Sequence, residues 1–310
     1  MLFIGPDDMC GPGGTKSDER MWMNRAKVQP TGTWLGGAFM VDAHVHCHAG
    51  VAPARLLHHA AANMAAAAAR RDVRPAAGWL LFTEMAADDA FAALERSATA
   101  SGGEAADLDG WRIRRTDEPV SLIAEGPADF PLILVAGRQI VTAEGLEVLA
   151  IGARGPFADG QDLDASVAAV QAADGLAVLP WGFGKWWGRR GAVVEDFLAR
   201  ATPGSLFLGD NGGRLQSAPR PAAFATAAAR GIPVLPGSDP LPLQAEAATA
   251  AGRYGFVLEA VVDAAHPAAG LKARLAALRE QPESFGRRQS LLPFVSRQIA
   301  MQWRKWRRVR

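Results

Sequence analysis

The sequence VDAHVH at residues 41–46 sets two histidines, His44 and His46, two positions apart at the end of an apolar run. In a β-strand the side chains at i and i+2 leave by the same face, so both imidazoles can address one metal ion. That supplies half of a metal site. Residues 231–241, GIPVLPGSDPL, form a second apolar run that ends in Gly-Ser-Asp and sets Asp239 where a carboxylate can complete it. Two neutral imidazoles and one carboxylate suit a single divalent ion, Zn²⁺ or Mn²⁺, with water in the open positions. An isolated His-x-His also fits two polar side chains in a surface turn, so the second run carries the metal reading.

Chemistry at such an ion needs a nearby acid or base. Glu84, Glu147 and Asp210 are the candidate catalytic carboxylates, and Asp210 leads because it ends an apolar strand before a flexible Asn-Gly-Gly turn. Each has a plainer alternative as a helix cap or an arginine partner. The stretch 180–191, PWGFGKWWGRRG, combines four glycines, three tryptophans and three cations. It can seat an anionic substrate through Trp181, Lys185 and Arg189, helped by Arg138, Gln139, Asn211 and Arg214, or it can plug the rim with aromatic rings. Its glycine spacing matches no phosphate loop or dinucleotide fingerprint, so no nucleotide cofactor is expected. His48 is read as exposed after the Ala49-Gly50 turn, His58 and His59 as solvated helix residues, and His266 as a helix cap. Cys47 is offset by one from His46 and points away from the pair, as a small buried residue.

These groups need a frame. Short apolar runs at 39–46, 78–82, 132–135, 148–152, 176–179, 205–208 and 234–235 read as strands, and alanine-rich stretches around 53–71, 86–100, 162–174, 192–201, 219–230, 243–252 and 268–280 read as helices. Repeated strand-then-helix order predicts an α/β fold, a distorted (β/α)7–8 TIM-like barrel, with the candidate residues gathered at the strand ends. Residues 107–123 break the rhythm with alternating apolar and charged positions around a turn at 117–119, which predicts an inserted β-hairpin. Residues 1–35, rich in Gly, Pro and mixed charge, read as a loose extension, 36–285 as the barrel domain, and 286–310 as a basic amphipathic helix.

In series these blocks resemble the polymerase and histidinol phosphatase (PHP) domains, metal-dependent hydrolases on a distorted seven-stranded barrel. VDAHVHCHAG resembles their opening Asp-x-His-x-His motif, LLFTEMAADDAFAAL the second motif, and LILVAGRQIVTAEGLEVLAIG the third. GLAVLPWGFG, LFLGDNGGR and VLPGSDPLPL stand in the places of the later blocks, and the likeness runs from about residue 40 to 245. It implies metal ligation by His44, His46 and Asp239. It also exposes departures: Gln139 replaces the bridging glutamate, Glu84 and Met85 replace Asp-His, and Leu241 stands in a histidine place. A three-metal centre therefore does not carry over, and one ion is expected.

Composition sets the outer limits. With 310 residues, about half of them apolar, and a formal charge of +1, the chain can bury a substantial core. Only Cys10 and Cys47 are present, so disulfides do not organise it. No run reaches the roughly 18 apolar residues that span a bilayer, and a cytoplasmic location is expected. From Arg287 onward there is no acidic residue, and the basic, tryptophan-bearing end can dock on its own domain or lie on an anionic membrane surface. No sequence-specific nucleic-acid contact is expected, and the oligomeric state is open. The resulting expectation is a metal-dependent hydrolase acting on a small anionic ester, a phosphoesterase. Two alternatives stand beside it: a catalytically inactive PHP-like module for binding or regulation, and a peripheral membrane protein.

Overall fold

The computed structural model describes residues 34–100, 106–127, 129–243 and 246–308. The expected N-terminal extension and Cys10 lie outside them. The chain runs β1 (Trp34–Val45), α1 (Pro53–Ala69), β2 (Ala77–Phe82), α2 (Ala90–Ala100), β3 (Ala106–Leu108), β4 (Trp111–Arg115), β5 (Ser121–Glu125), β6 (Leu132–Val135), β7 (Gly137–Val141) and β8 (Glu147–Ile151). It continues with α3 (Leu163–Ala172), β9 (Leu176–Pro180), α4 (Arg189–Arg200), β10 (Leu206–Asn211), α5 (Ala222–Ala229), β11 (Val234–Gly237), β12 (Tyr254–Asp263), α6 (Pro267–Ala276), β13 (Ser284–Gly286) and α7 (Leu291–Arg308).

The strands do not close into the expected barrel. They form two mixed sheets, one of eight strands in the order β13-β12-β1-β2-β6-β5-β4-β3 and one of five in the order β11-β10-β9-β8-β7. The reason lies in the connections. A parallel neighbour needs a crossover of a dozen or more residues, usually a helix, and no described helix separates β3 through β8. Those strands therefore pair antiparallel, β4 with β5 across 116–120, β5 with β6, and β7 with β8. The alternating stretch at 107–123 contributes to this antiparallel extension of the larger sheet. The chain changes sheets between β6 and β7, where Gly137 passes so close to β2 that a Cβ would lie 2.2 Å from the Phe82 carbonyl oxygen.

Two further elements differ from expectation. Residues 246–252 make turns in place of the helix read at 243–252. β12 was not foreseen, because YGFVLEAVVD has apolar residues on both faces and no period-2 signal; it pairs antiparallel with β1 over eight residues.

Three apolar layers hold this frame. Between the sheets lie Phe39, Val41, Trp79, Phe207, Leu235 and Phe256, capped by Leu271 and Leu275 of α6. Leu57, Met64, Phe91 and Leu94 of α1 and α2 pack on the outer face of the larger sheet, and Val167, Val194, Leu198 and Phe224 of α3, α4 and α5 on that of the smaller.

The sheets are tied where β1 meets the end of β11. Asp42, fully buried, accepts backbone hydrogen bonds from His44 (3.2 Å), Ser238 (2.8 Å) and Gly252 (2.8 Å). Burial pushes its carboxyl up to about 6, and the three N–H donors act in the opposite sense. The Asp239 amide donates to the His44 carbonyl at 2.8 Å. Gly237 packs against β1 so tightly that a Cβ would lie 2.5 Å from the His44 backbone nitrogen. Replacing Asp42 with Ala strands three buried donors, each costing about 1–3 kcal/mol. A loss of roughly 3 kcal/mol or more in urea unfolding free energy is expected for Asp42→Ala, and an unchanged midpoint would contradict this role.

Candidate metal centre

The direction of the two histidines is set by an irregularity in β1. Phe39, Val41 and Ala43 face the inter-sheet core while Met40 faces α1, the alternation of an ordinary strand. Between Asp42 and Val45 the register against β2 shifts: Asp42 pairs with Leu80, but Val45 pairs with Phe82, so three steps on β1 oppose two on β2. The extra residue reverses the alternation. Val45 and Cys47 then pack on the α1 side, and His44 and His46 turn to the opposite side, where the tip of β11 arrives.

His44, His46 and Asp239 converge there. The two Nε2 atoms lie 3.0 Å apart, and each is 3.6 Å from Asp239 Oδ1. Both histidines are buried, and ligand atoms of all three residues lie within 4.8 Å of one another. Three ligand atoms bound at about 2.0–2.1 Å to a tetrahedral ion stand about 3.4 Å apart. The observed triangle is close to that, so the group could hold a metal ion. At that separation one ring can donate its N–H to the other, and a cation held by both would take the place of that hydrogen bond. Burial, reinforced by His44, holds the His46 imidazole down at about 3, which favours its neutral, ligating form.

Asp239 is held by its surroundings. Its backbone has φ of 49°, left-handed for a residue other than glycine, a conformation that aspartate tolerates better than most. Asn211 at the end of β10 donates to Asp239 Oδ2 at 3.0 Å and to the Trp181 carbonyl at 2.8 Å. Burial alone would raise the Asp239 carboxyl, but His44, His46 and Lys185 outweigh it and hold it below the usual range. Beside the triad lies a polar chain. Gln139 sits next to His46 and donates to Glu147 Oε1 at 3.1 Å, and Glu147 is ion-paired with Lys185.

The other expected site residues lie elsewhere. Asp210, though adjacent to Asn211, leaves β10 by the opposite face and is locked against Arg214 by two hydrogen bonds of 2.7 and 2.8 Å, with Tyr254 donating at 3.0 Å. A carboxylate so occupied is not placed to move protons at the triad. Glu84 accepts from the Phe91 amide at 2.8 Å and serves the start of α2, with burial raising its carboxyl. Arg138 lies 4.0 Å from Asp159, and Arg189 is exposed at the head of α4. In the aromatic loop Phe183 meets Trp187 and Phe294, and Trp186 meets Phe224, with Phe183 and Trp187 51% and 61% exposed, while Lys185 is the cation of the loop that acts on Asp239.

Some residues escaped the sequence reading. His48 is buried, not exposed: its ring stacks on His46 and its Nε2 donates to the Pro240 carbonyl at 2.6 Å. His266 starts α6 without a side-chain cap and pairs with Asp263 instead. His58 accepts a hydrogen bond from the Trp111 indole. Asp42 was the legible omission, since an acid inside an otherwise apolar strand has to find buried donors.

No family model matches the chain, and no curated protein matches it. Its fold is similar to that in the crystal structure of PsfC from Pseudomonas syringae PB-5123, with a TM-score of 0.54 and 15% identity over 86% of this chain and 98% of that one. At that identity the likeness concerns the fold alone.

Cys47 offers a check on the strand reversal. It is buried on the α1 side, and burial, with Glu84 and Asp88 adding to it, pushes its thiol up to about 12. In a Cys10→Ser background the native protein should leave a thiol reagent such as DTNB unconsumed at pH 8, and one equivalent should react after unfolding. Prompt reaction of the native protein would show that Cys47 faces an open, ligand-like environment.

Proposed function

We propose that the protein is a metal-dependent hydrolase of small anionic esters, a phosphoesterase, that uses one divalent ion, Zn²⁺ or Mn²⁺, held by His44, His46 and Asp239. Of the motif series that resembles PHP domains, the ligand triad alone is kept, since the strands form two sheets and not the barrel that the likeness implied. The observation that carries it is the convergence of two buried Nε2 atoms and one half-buried carboxylate at separations suited to a single ion. Three protein ligands with a remaining open position are the pattern of catalytic rather than structural zinc. When bound, such an ion polarises the ester and makes water acidic enough to attack near neutral pH.

The chain's own groups supply the rest. Asn211 fixes Asp239, so the carboxylate presents Oδ1 to the centre while Oδ2 is occupied. Lys185 brings positive charge beside Asp239 and is the cation placed to meet the anionic group of a substrate. Glu147, paired with Lys185 and Gln139, is the carboxylate in position to take up and return a proton, a role that geometry now favours over Asp210 and Glu84. Gln139 is neutral where a second cation would require a charge, which favours one ion over several and also supports the competing reading, a metal-holding module without turnover.

Hydrolysis of a generic phosphomonoester with added Mn²⁺ or Zn²⁺ separates these. His46→Ala should lower kcat/KM by at least about a hundredfold, the order expected when a metal ligand or its support is lost. Asp210→Asn should stay within a few-fold of the parent if it remains folded. Equal turnover by parent and His46→Ala would overturn the hydrolase reading, and stoichiometric metal without turnover would favour the binding module.

One observation supports a membrane-surface role beside this. On α7 the residues Leu291, Leu292, Val295, Ile299, Trp303 and Trp306 are 44–81% exposed. At 100° per residue they occupy one arc of about 120°. The helix is held to the body instead through Phe294, which meets Phe183, and Arg297, which is ion-paired with Glu246. An outward apolar stripe with two tryptophans, on a segment of eight basic and no acidic residues over 287–310, suits an anionic lipid surface. Among the described residues no helix is long and apolar enough to cross a membrane. The full-length protein should float with phosphatidylserine-containing vesicles and much less with pure phosphatidylcholine, and deletion of 290–310 should abolish flotation. Flotation that survives the deletion would remove α7 from the account.

A further inference from the structure

At the ends of β10 and β11, between the outer face of the smaller sheet and the β12–β13 edge of the larger one, lies a cavity of about 500 Å³. Its wall carries four guanidinium groups, Arg214, Arg220, Arg287 and Arg288, against a single carboxylate, Asp210. We propose that this cavity is a second binding site, distinct from the metal centre, for a small phosphate-bearing anion.

The charge does not cancel within the protein. Both oxygens of Asp210 are taken, by the bidentate bond from Arg214 and by the Tyr254 hydroxyl. That leaves three positive charges of the four unmatched in the wall. Among the described residues, Arg220, Arg287 and Arg288 enter no ion pair, and Arg220 lies over the Phe224 ring at 5.9 Å. Arg214 itself is buried, and its Nη1 has no hydrogen-bond partner although its other two nitrogens are engaged. A buried guanidinium with an unused donor leaves part of its desolvation uncompensated. A concave wall of one sign with low-dielectric surroundings concentrates counter-ions, and guanidinium forks match phosphate oxygens two at a time. The volume falls in the range of pockets for small organic ligands, so an organic phosphate fits as well as the bare ion.

The cavity is independent of the triad by strand geometry. Asn211 reaches Asp239 on one face of β10, and Asp210, the preceding residue, faces the cavity on the other. It also adjoins the root of α7. Gln289, one residue beyond the two rim arginines, is hydrogen-bonded to Arg214 and Gln216 main chain at 3.2 and 2.8 Å. A ligand spanning Arg214 and Arg288 would therefore bridge the sheet and the segment that leads into that helix.

Calorimetric titration of the chelator-treated full-length protein with pyrophosphate, at constant ionic strength, tests this without any metal to bind the probe. Saturable one-to-one binding is expected, weakened at least tenfold in an Arg220→Ala/Arg288→Ala variant. Both side chains lie at the rim, so this variant should fold, which circular dichroism checks. A His44→Ala/His46→Ala variant should bind within twofold of the parent, a result that stands whether or not the metal centre is hydrolytic. Absence of saturable heat at millimolar pyrophosphate, or equal affinity in the arginine variant, would overturn the site. Loss of binding in the histidine variant alone would assign the anion to the triad instead.

Discussion

A single buried carboxylate holds the two sheets in the relation on which the site depends. Asp42 lies in the middle of an apolar strand, with its oxygens facing the amides of His44, Ser238 and Gly252. These three donors come from β1 itself, from the residue after β11, and from the turn that leads into β12. Burying a carboxylate is costly, and its raised pKa records that cost; removing the acceptor would cost more, because the three amides have no water to turn to. The same network fixes where β1 and β11 approach, and that is the place where the histidines and Asp239 come together.

The local backbone converts this junction into a site. A register shift of one residue in β1 takes His44 and His46 off the helix-facing side, and Gly237 lets β11 come within van der Waals distance of His44. The chain then turns through Ser238 into a left-handed Asp239, whose amide bonds back to β1. Each of these is a small backbone irregularity of the kind that gathers at functional positions, held because its neighbours over-determine it. Around the triad the polar groups are paired outward from it: Asn211 on Asp239, Glu147 with Gln139 and Lys185. The smaller sheet thus carries polar groups on both sides of β10, Asn211 toward the triad and Asp210 toward the arginine-rich cavity.

The candidate carboxylates illustrate how strand position misleads when the partner is unknown. All three were legible as acids at or near the ends of apolar runs. Asp210 is committed to an arginine four residues later, Glu84 to the first turn of a helix, and only Glu147 lies in the company of residues that touch the triad. Nothing in the spacing of Asp210 and Asn211 tells which of two consecutive side chains faces inward. That is decided by the sheet's orientation relative to the other sheet, a relation between segments far apart in sequence.

What the sequence by itself determined is local. The i, i+2 histidines, the Gly-Ser-Asp that ends β11, the alanine-rich helices and the alternating 107–123 stretch are all patterns with a period or a turn chemistry that short-range physics enforces. The tertiary structure alone decided what is non-local: that β3 to β8 pair antiparallel and leave two open-edged sheets in place of a barrel, that β12 adds to β1, and that His48 is buried against Pro240. Strand partners are chosen by loop lengths and by which faces can be covered together. A strand carries the same apolar residues whichever neighbour it takes, so the choice between barrel and paired sheets was not written in any one segment.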